Sequence, residues 1–371
     1  MEGLVLLNID ATFNESFPKL AKQFEENNYA IKDFQRTVIA NIAEKDNTLC
    51  IMPTGGGKSL IYWLSGVILG GITIVISPLI ALIDEQSEKI AEQGFEVLTI
   101  HGGMDSAKQA KVLVDFANRV INPKFIFVSP EKIATDGLFE HCIKERKNEI
   151  TMLAIDEVHC VSQWGTSFRP FYKRIPDFFD CVYGVDGKKP KILALTATLN
   201  PKEVVDICRE FKIDKTNIIR DNLLMRAEIS LKILQFNNEN DKEEKLWDII
   251  KIHKNEKILI YVYRIGSERG VEKLADKANE KGYKSVCFHG EMLAGERKEI
   301  IDRYKNNEIN VVFATNAFGM GIDIPDIRVV VHFMIPESVE QYYQEIGRAA
   351  RDGSVANAYL LYSNKNIDVK R

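Results

Sequence analysis

Short, continuous apolar runs recur along this chain with longer amphipathic segments between them, and that alternation restricts the fold more than any other feature. In the first half the runs are TLCIM (48–52), ITIVISP (72–78), FIFVSP (125–130), MLAID (152–156) and KILALTAT (191–198). Each is too short for a helix and rich in Ile, Val, Leu or Phe. Hydrophobicity that does not alternate marks strands buried on both faces, as in a parallel sheet. Segments such as LIALIDEQSEKIAEQ (79–93) separate the runs and read as helices. The pattern is that of βαβ units in a doubly wound α/β domain. The second half repeats it with KILIYVY (257–263), KSVCFHG (284–290), NVVFAT (310–315), RVVVHFMI (328–335) and AYLLYS (358–363). Residues 212–240 carry neither pattern clearly, so the domain junction is expected near 215–228. This divides the chain into an extension over 1–27, a first domain over 28–218 and a second over 219–371. In the extension Phe17, Leu20 and Phe24 fall at helical spacing, with no chemistry of their own.

A length of 371 residues suits two domains, and 45% hydrophobic with 27% charged residues supports a folded core rather than a disordered chain. The formal net charge is −4 and neither half is basic, so charge does not announce a nucleic-acid binder. A local basic stripe can still sit inside a neutral total. Cysteines at 50, 142, 160, 181, 208 and 287 form no C-x-x-C pair. They read as reduced thiols of a cytosolic protein, and no zinc is expected in this chain. The N-terminus shows neither the basic nor the long apolar region of a signal peptide. Ser59 to Ile83 is uncharged and long enough to span a bilayer, but Gly70-Gly71 and Pro78 interrupt it. The β-branched ITIVI between them suits a buried strand, so a buried helix followed by a buried strand is expected, with no membrane partner.

The chemistry begins after TLCIM, where Pro53-Thr54-Gly55-Gly56-Gly57-Lys58-Ser59 leads into an apolar helix. A glycine-rich turn between strand and helix lets backbone N–H groups converge on phosphate oxygens, and the helix dipole assists. Lys58 would reach the β- and γ-phosphates, and the Ser59 hydroxyl would take a Mg²⁺ position. The full phosphate-loop pattern wants glycine at 52, where this chain has Met52. A flexible glycine loop with a chance lysine is the bland alternative. A phosphate loop needs a carboxylate at a nearby strand end, and MLAID ends in Asp156, followed by Glu157. Asp156 would hold the metal through water, and Glu157 would polarise the attacking water.

Three further features gain meaning only together. Trp164, Phe168, Phe171 and Tyr172 follow the acidic pair, with Arg169 among them. Exposed aromatics stack on bases, although spacing alone favours packing in the core. Thr196-Ala197-Thr198 ends another strand, where small hydroxyls can bond the metal-site carboxylates. Finally, YYQEIGRAARDG (342–353) is expected to set Gln344, Arg348 and Arg351 on one helical face at i, i+4 and i+7. Arginines aimed from a second domain at a phosphate loop fit an arginine-finger arrangement. Alone they would be a solvated basic face.

Assembled, these residues resemble a superfamily 2 helicase, and specifically the RecQ family. The similarity runs from about Tyr29 to Ser363 through MPTGGGKSL (52–60), SPLIALIDEQ (77–86), DEVHCVSQWGTSFRP (156–170), LALTAT (193–198), FATNAFGMGID (313–323) and QEIGRAARDG (344–353). The loop from Cys160 to Pro170 carries the RecQ-specific part. The resemblance implies two tandem RecA-like (P-loop NTPase) domains with parallel sheets and a nucleotide cleft between them. It implies ATP and Mg²⁺, and 3′→5′ movement on single-stranded or partly duplex DNA by a monomer, in DNA repair or recombination. A cytoplasmic, nucleoid-associated location would follow, or a nuclear one in a eukaryote. Nucleotide would be held by Thr54, Gly55, Gly56, Gly57, Lys58 and Ser59. Gln35 would read adenine, with Lys32 in place of an arginine and Asp323 near the ribose. Arg351 would be the finger, supported by Arg348 and Gln344. His159, Gln163, Trp164, Phe168 and Arg169 would couple hydrolysis to DNA, and Ser77, Pro78 and His289 would follow its backbone. This chain departs from the family pattern in having Lys32-Asp33-Phe34 before Gln35, Val158 in the acidic motif, and Ala350 in place of glycine. The rivals are an RNA helicase of the same superfamily and a nucleotide-dependent DNA-binding protein that hydrolyses little.

Overall fold

The computed structural model describes residues 8–53, 55–161, 170–184, 187–197, 199–221, 226–319, 322 and 324–363. The chain divides into two compact units, Met1–Asn222 and Leu223–Arg371.

In the first unit the strands are β1 (Thr48–Ile51), β2 (Ile72–Ile76), β3 (Val97–Ile100), β4 (Phe125–Val128), β5 (Ile150–Ile155), β6 (Lys191–Thr196) and β7 (Ile218–Arg220). They form one sheet in the order β3-β4-β2-β5-β6-β1-β7, and every pairing is parallel. In the second unit they are β8 (Ile229–Phe236), β9 (Lys257–Tyr261), β10 (Ser285–Phe288), β11 (Val311–Ala314), β12 (Ile327–His332) and β13 (Ala356–Ser363). Their order is β10-β11-β9-β12-β13-β8, again all parallel. Ranked by position in the chain, both sheets read third-fourth-second-fifth-sixth-first. The same topology is therefore built twice, with β7 added beyond β1.

The apolar runs are continuous because each sheet is covered on both faces. In β1, Leu49 and Ile51 enter one core while Cys50 enters the other. In β2, Ile72, Ile74 and Ile76 face one way and Val75 the other. Full burial of such a side chain contributes roughly 1.5–3 kcal/mol. Three strands escape the sequence reading. β3 and β8 are sheet edges, so their burial is partial, and β7 is only three residues long.

The N-terminal helices α1 (Ile9–Ser16) and α2 (Pro18–Glu26) build into the first unit. Phe17 is fully buried between Trp63 and Phe95, with ring centroids 6.3 and 5.2 Å away. α3 (Asp33–Glu44) follows, and Arg36 on it holds Asp10 through two hydrogen bonds of 2.5 and 2.7 Å. The uncharged stretch becomes α4 (Lys58–Leu69), the turn Gly70-Gly71 and β2. Gly70 and Gly71 have φ of +70° and +54°, which glycine adopts without strain. Among the described residues no helix is long and apolar enough to cross a membrane.

Candidate active site

The glycine loop lies between the carboxyl end of β1 and α4, and β5 delivers the acidic pair close by. Gly57 caps α4 with φ +89° and ψ 39°. Glycine is required there twice over, because a Cβ would also collide with the Gln35 amide. Lys58 is the first residue of α4. Its Nζ lies 2.7 Å from Glu157 Oε1 and 3.7 Å from Asp156 Oδ1. Asp156 and Glu157 leave β5 in a sharp turn: the Asp156 N–H donates to Ile76 O, and Glu157 N–H donates to Asp156 Oδ1 at 2.9 Å. Glu157 itself sits at φ +48°, in the left-handed region. The Tyr172 hydroxyl donates to Asp156 O at 2.9 Å, so this aromatic packs in the core.

Charge in this cluster is finely set. Burial works against the Lys58 ammonium, but Glu157 and Asp156 outweigh it and raise its pKa. Burial likewise works against the Glu157 carboxylate, but Lys58 and His159 hold it well below the usual range. Asp156 goes the other way: burial raises its carboxyl despite Lys58, and the charge of Glu157 adds to the rise. His159 is pushed up to about 10, its burial offset by hydrogen bonds with Cys160 and Glu157. Its Nδ1 lies 2.9 Å from Thr196 Oγ1 and 3.2 Å from Glu157 Oε2. The histidine thus ties the acidic turn to the end of β6. The sequence set the hydroxyls there against the metal-site carboxylates; Thr196 reaches Glu157 through His159.

Magnesium fits this donor set. The ion keeps several waters and takes one or two protein oxygens besides phosphate. No cluster of three His, Cys, Asp or Glu exists among the described residues, and none is needed. Asp156 is a carboxyl that burial leaves under-compensated, and a cation would relieve it.

The surroundings of the other expected residues are as follows. Gln35 is 4% exposed; its Oε1 accepts from Lys32 N at 2.9 Å and its Nε2 donates to Gly56 O at 3.0 Å. Its amide therefore braces the glycine loop. The Lys32 side chain is exposed. Ser77 and Pro78 are buried, Ser77 to 3%, and His289 is 8% exposed with Nε2 3.7 Å from Glu272. Thr54, Thr198, Gln163, Trp164, Phe168, Arg169 and Asp323 lie outside the described residues.

The arginine segment needs a correction. The helix that carries Gln344 runs Val339–Ile346 and stops there. Arg348 and Arg351 lie in the turn beyond it, so the three do not share a helical face. The cause is local: Arg348 N–H donates to Glu345 O and Ala349 N–H to Ile346 O, tightening the chain, and Ala350 then turns at φ +54°. Arg226, which the sequence did not single out, donates to the carbonyls of Gly347, Ala349 and Ala350 and fixes that turn. Arg348 Nη1 donates to Gly319 O at 2.7 Å, and Arg351 Nη1 to Ile322 O at 3.1 Å.

Two doubly covered parallel sheets, one with a phosphate loop and an acidic strand end, define a superfamily 2 helicase core, and comparison with known proteins agrees. Residues 32–207 match the DEAD/DEAH box helicase family and residues 241–353 the helicase conserved C-terminal domain. The fold resembles that of S. cerevisiae Dbp5 bound to RNA and ADP BeF3, with TM-score 0.72 and 19% identity over 96% of this chain and 91% of that one. The chain belongs to the RecQ family of DNA helicases. It is 34% identical to the ATP-dependent DNA helicase RecQ of Bacillus subtilis over 88% of its length, and 32% identical to the probable ATP-dependent DNA helicase RecS of the same organism over 92%. It spans 53% of the first relative and 66% of the second.

Proposed function

We propose that the chain hydrolyses ATP and uses the energy to move 3′→5′ along single-stranded DNA, unwinding duplex in repair or recombination. The observation that carries this reading is the buried cluster of Lys58, Asp156 and Glu157 at the mouth of the glycine loop. Lys58 leaves the carboxylates to meet the β- and γ-phosphates. Glu157, freed from that ion pair, orients and deprotonates the attacking water. Ser59 and Asp156 would hold a magnesium ion, which neutralises charge on the phosphates. Arg351, supported by Arg348, stabilises charge on the transferred phosphoryl group. His159 links Glu157 to β6, and the loop bearing Gln163, Trp164, Phe168 and Arg169 carries the DNA signal to it.

The RNA reading draws on fold likeness to Dbp5 alone, whereas the RecQ relatives match in sequence across most of the chain. Three experiments test the proposal. Phosphate release is compared with DNA and RNA oligonucleotides of one sequence; stronger stimulation by RNA overturns it. Streptavidin displacement from either end of a biotinylated strand reads direction, and 3′→5′ movement clears the 5′ end. Trp164→Ala is expected to keep DNA binding and lose stimulated turnover; normal turnover refutes the coupling role.

A further inference from the structure

Beneath the arginine turn lies a buried polar cluster that the phosphate chemistry does not use. Glu345 is 5% exposed and His332 is fully buried. Three donors converge on the Glu345 carboxylate. His332 Nε2 lies 2.7 Å from Oε2, the Tyr263 hydroxyl donates to the same oxygen at 2.6 Å, and the Gln341 amide donates to Oε1 at 2.9 Å. They come from three places: the end of β12, the segment after β9, and the preceding turn of the helix Val339–Ile346. The His332 ring stacks on Tyr261 at 5.2 Å between centroids, and Tyr342 meets it edge-on at 4.8 Å. The register of β12 against β9 sets His332 beside Tyr261.

The cluster leads directly to the arginines. The Tyr261 hydroxyl donates to Phe318 O at 2.8 Å, and Arg348 Nη1 grips the next carbonyl, Gly319 O. The Glu345 carbonyl accepts the Arg348 N–H that begins the turn. Burying a carboxylate is costly, and a packed apolar side chain in its place is often as stable or more so. What the carboxylate supplies is direction, because donors fixed on three elements leave it one rotamer.

We propose that Glu345, with His332 and Tyr263, is a positioning residue that fixes the rotation of the chain leaving the helix and so aims Arg348 and Arg351. This rests on the reading that those arginines act on the triphosphate. The test is steady-state turnover of the full chain with saturating single-stranded DNA, for Glu345→Gln, Arg351→Ala, the Glu345→Gln/Arg351→Ala pair, and the Arg348→Ala/Arg351→Ala pair. Glu345→Gln is expected to lower kcat at least tenfold, change KM for ATP less than threefold, and cost nothing more in the Arg351→Ala background. Tyr263→Phe, which removes one donor, is expected to show the same kcat-only pattern at a few-fold, and carries the test if Glu345→Gln does not fold. Slow arginine variants beside normal turnover in the folded Glu345→Gln or Tyr263→Phe chains overturn the inference alone. So does a Glu345→Gln loss that adds fully to that of Arg351→Ala. Normal turnover in the Arg348→Ala/Arg351→Ala chain overturns the reading of the arginines, and this inference with it.

Discussion

Glu157 holds a left-handed backbone that costs a non-glycine residue about 1–3 kcal/mol, and the cluster around it offsets that strain. Asp156 Oδ1 accepts its N–H, and Lys58 and His159 flank its carboxylate. Glu157→Gln should keep this geometry while removing the base, so kcat falls about 10²–10⁴-fold with nucleotide binding retained; steady-state and binding assays separate the two. His159 gives a pH signature. Its pKa is raised in the folded chain to about 10, so its contribution to stability is complete below about 6.5, the ordinary value, and is lost as pH rises towards 10. The difference in melting temperature between wild type and His159→Gln should therefore shrink from pH 6.5 to 10. A constant difference would contradict the charged assignment. Lys58, Asp156 and Glu157 were legible in the sequence because each follows a buried strand within a fixed local signature, Lys58 at the close of the glycine loop and the acidic pair directly after β5. The His159–Thr196 tie and the Gln35 brace were not, since each joins residues whose proximity is set by the sheet or by loop closure.

At the level of elements, two turns differ in how well the residue suits the backbone. Gly57 needs both its positive φ and its missing Cβ. Gly57→Ala should destabilise the first unit by about 1–2 kcal/mol and weaken nucleotide binding; melting and nucleotide titration check it. Ala350 is the converse, an alanine at φ +54°, a region that glycine adopts without strain. Ala→Gly at a buried site ordinarily costs about 1 kcal/mol, but relief of roughly 1–2 kcal/mol of left-handed strain offsets it here. Ala350→Gly should thus melt no lower than wild type. The same turn explains why helical periodicity misplaced Arg348 and Arg351. Helical spacing continues past Ile346 in the sequence, whereas the chain tightens there through local hydrogen bonds and Arg226, far away in sequence, holds the carbonyls of the turn that follows. Edge strands β3 and β8 were missed for a related reason: half-exposed strands lack the continuous hydrophobicity that marked the central ones.

On the scale of the whole chain, the doubled strand order was foreshadowed by the doubled apolar pattern, and the parallel sheets follow from runs that must be covered on both faces. What the chain does depends on whether the first unit's acidic cluster turns over ATP in response to a DNA strand. Phosphate release by the full chain, measured with and without single-stranded DNA and beside Glu157→Gln, tests this most directly. The account predicts release that rises several-fold with DNA and collapses in the variant. Release that ignores DNA, or that survives Glu157→Gln unchanged, would contradict it.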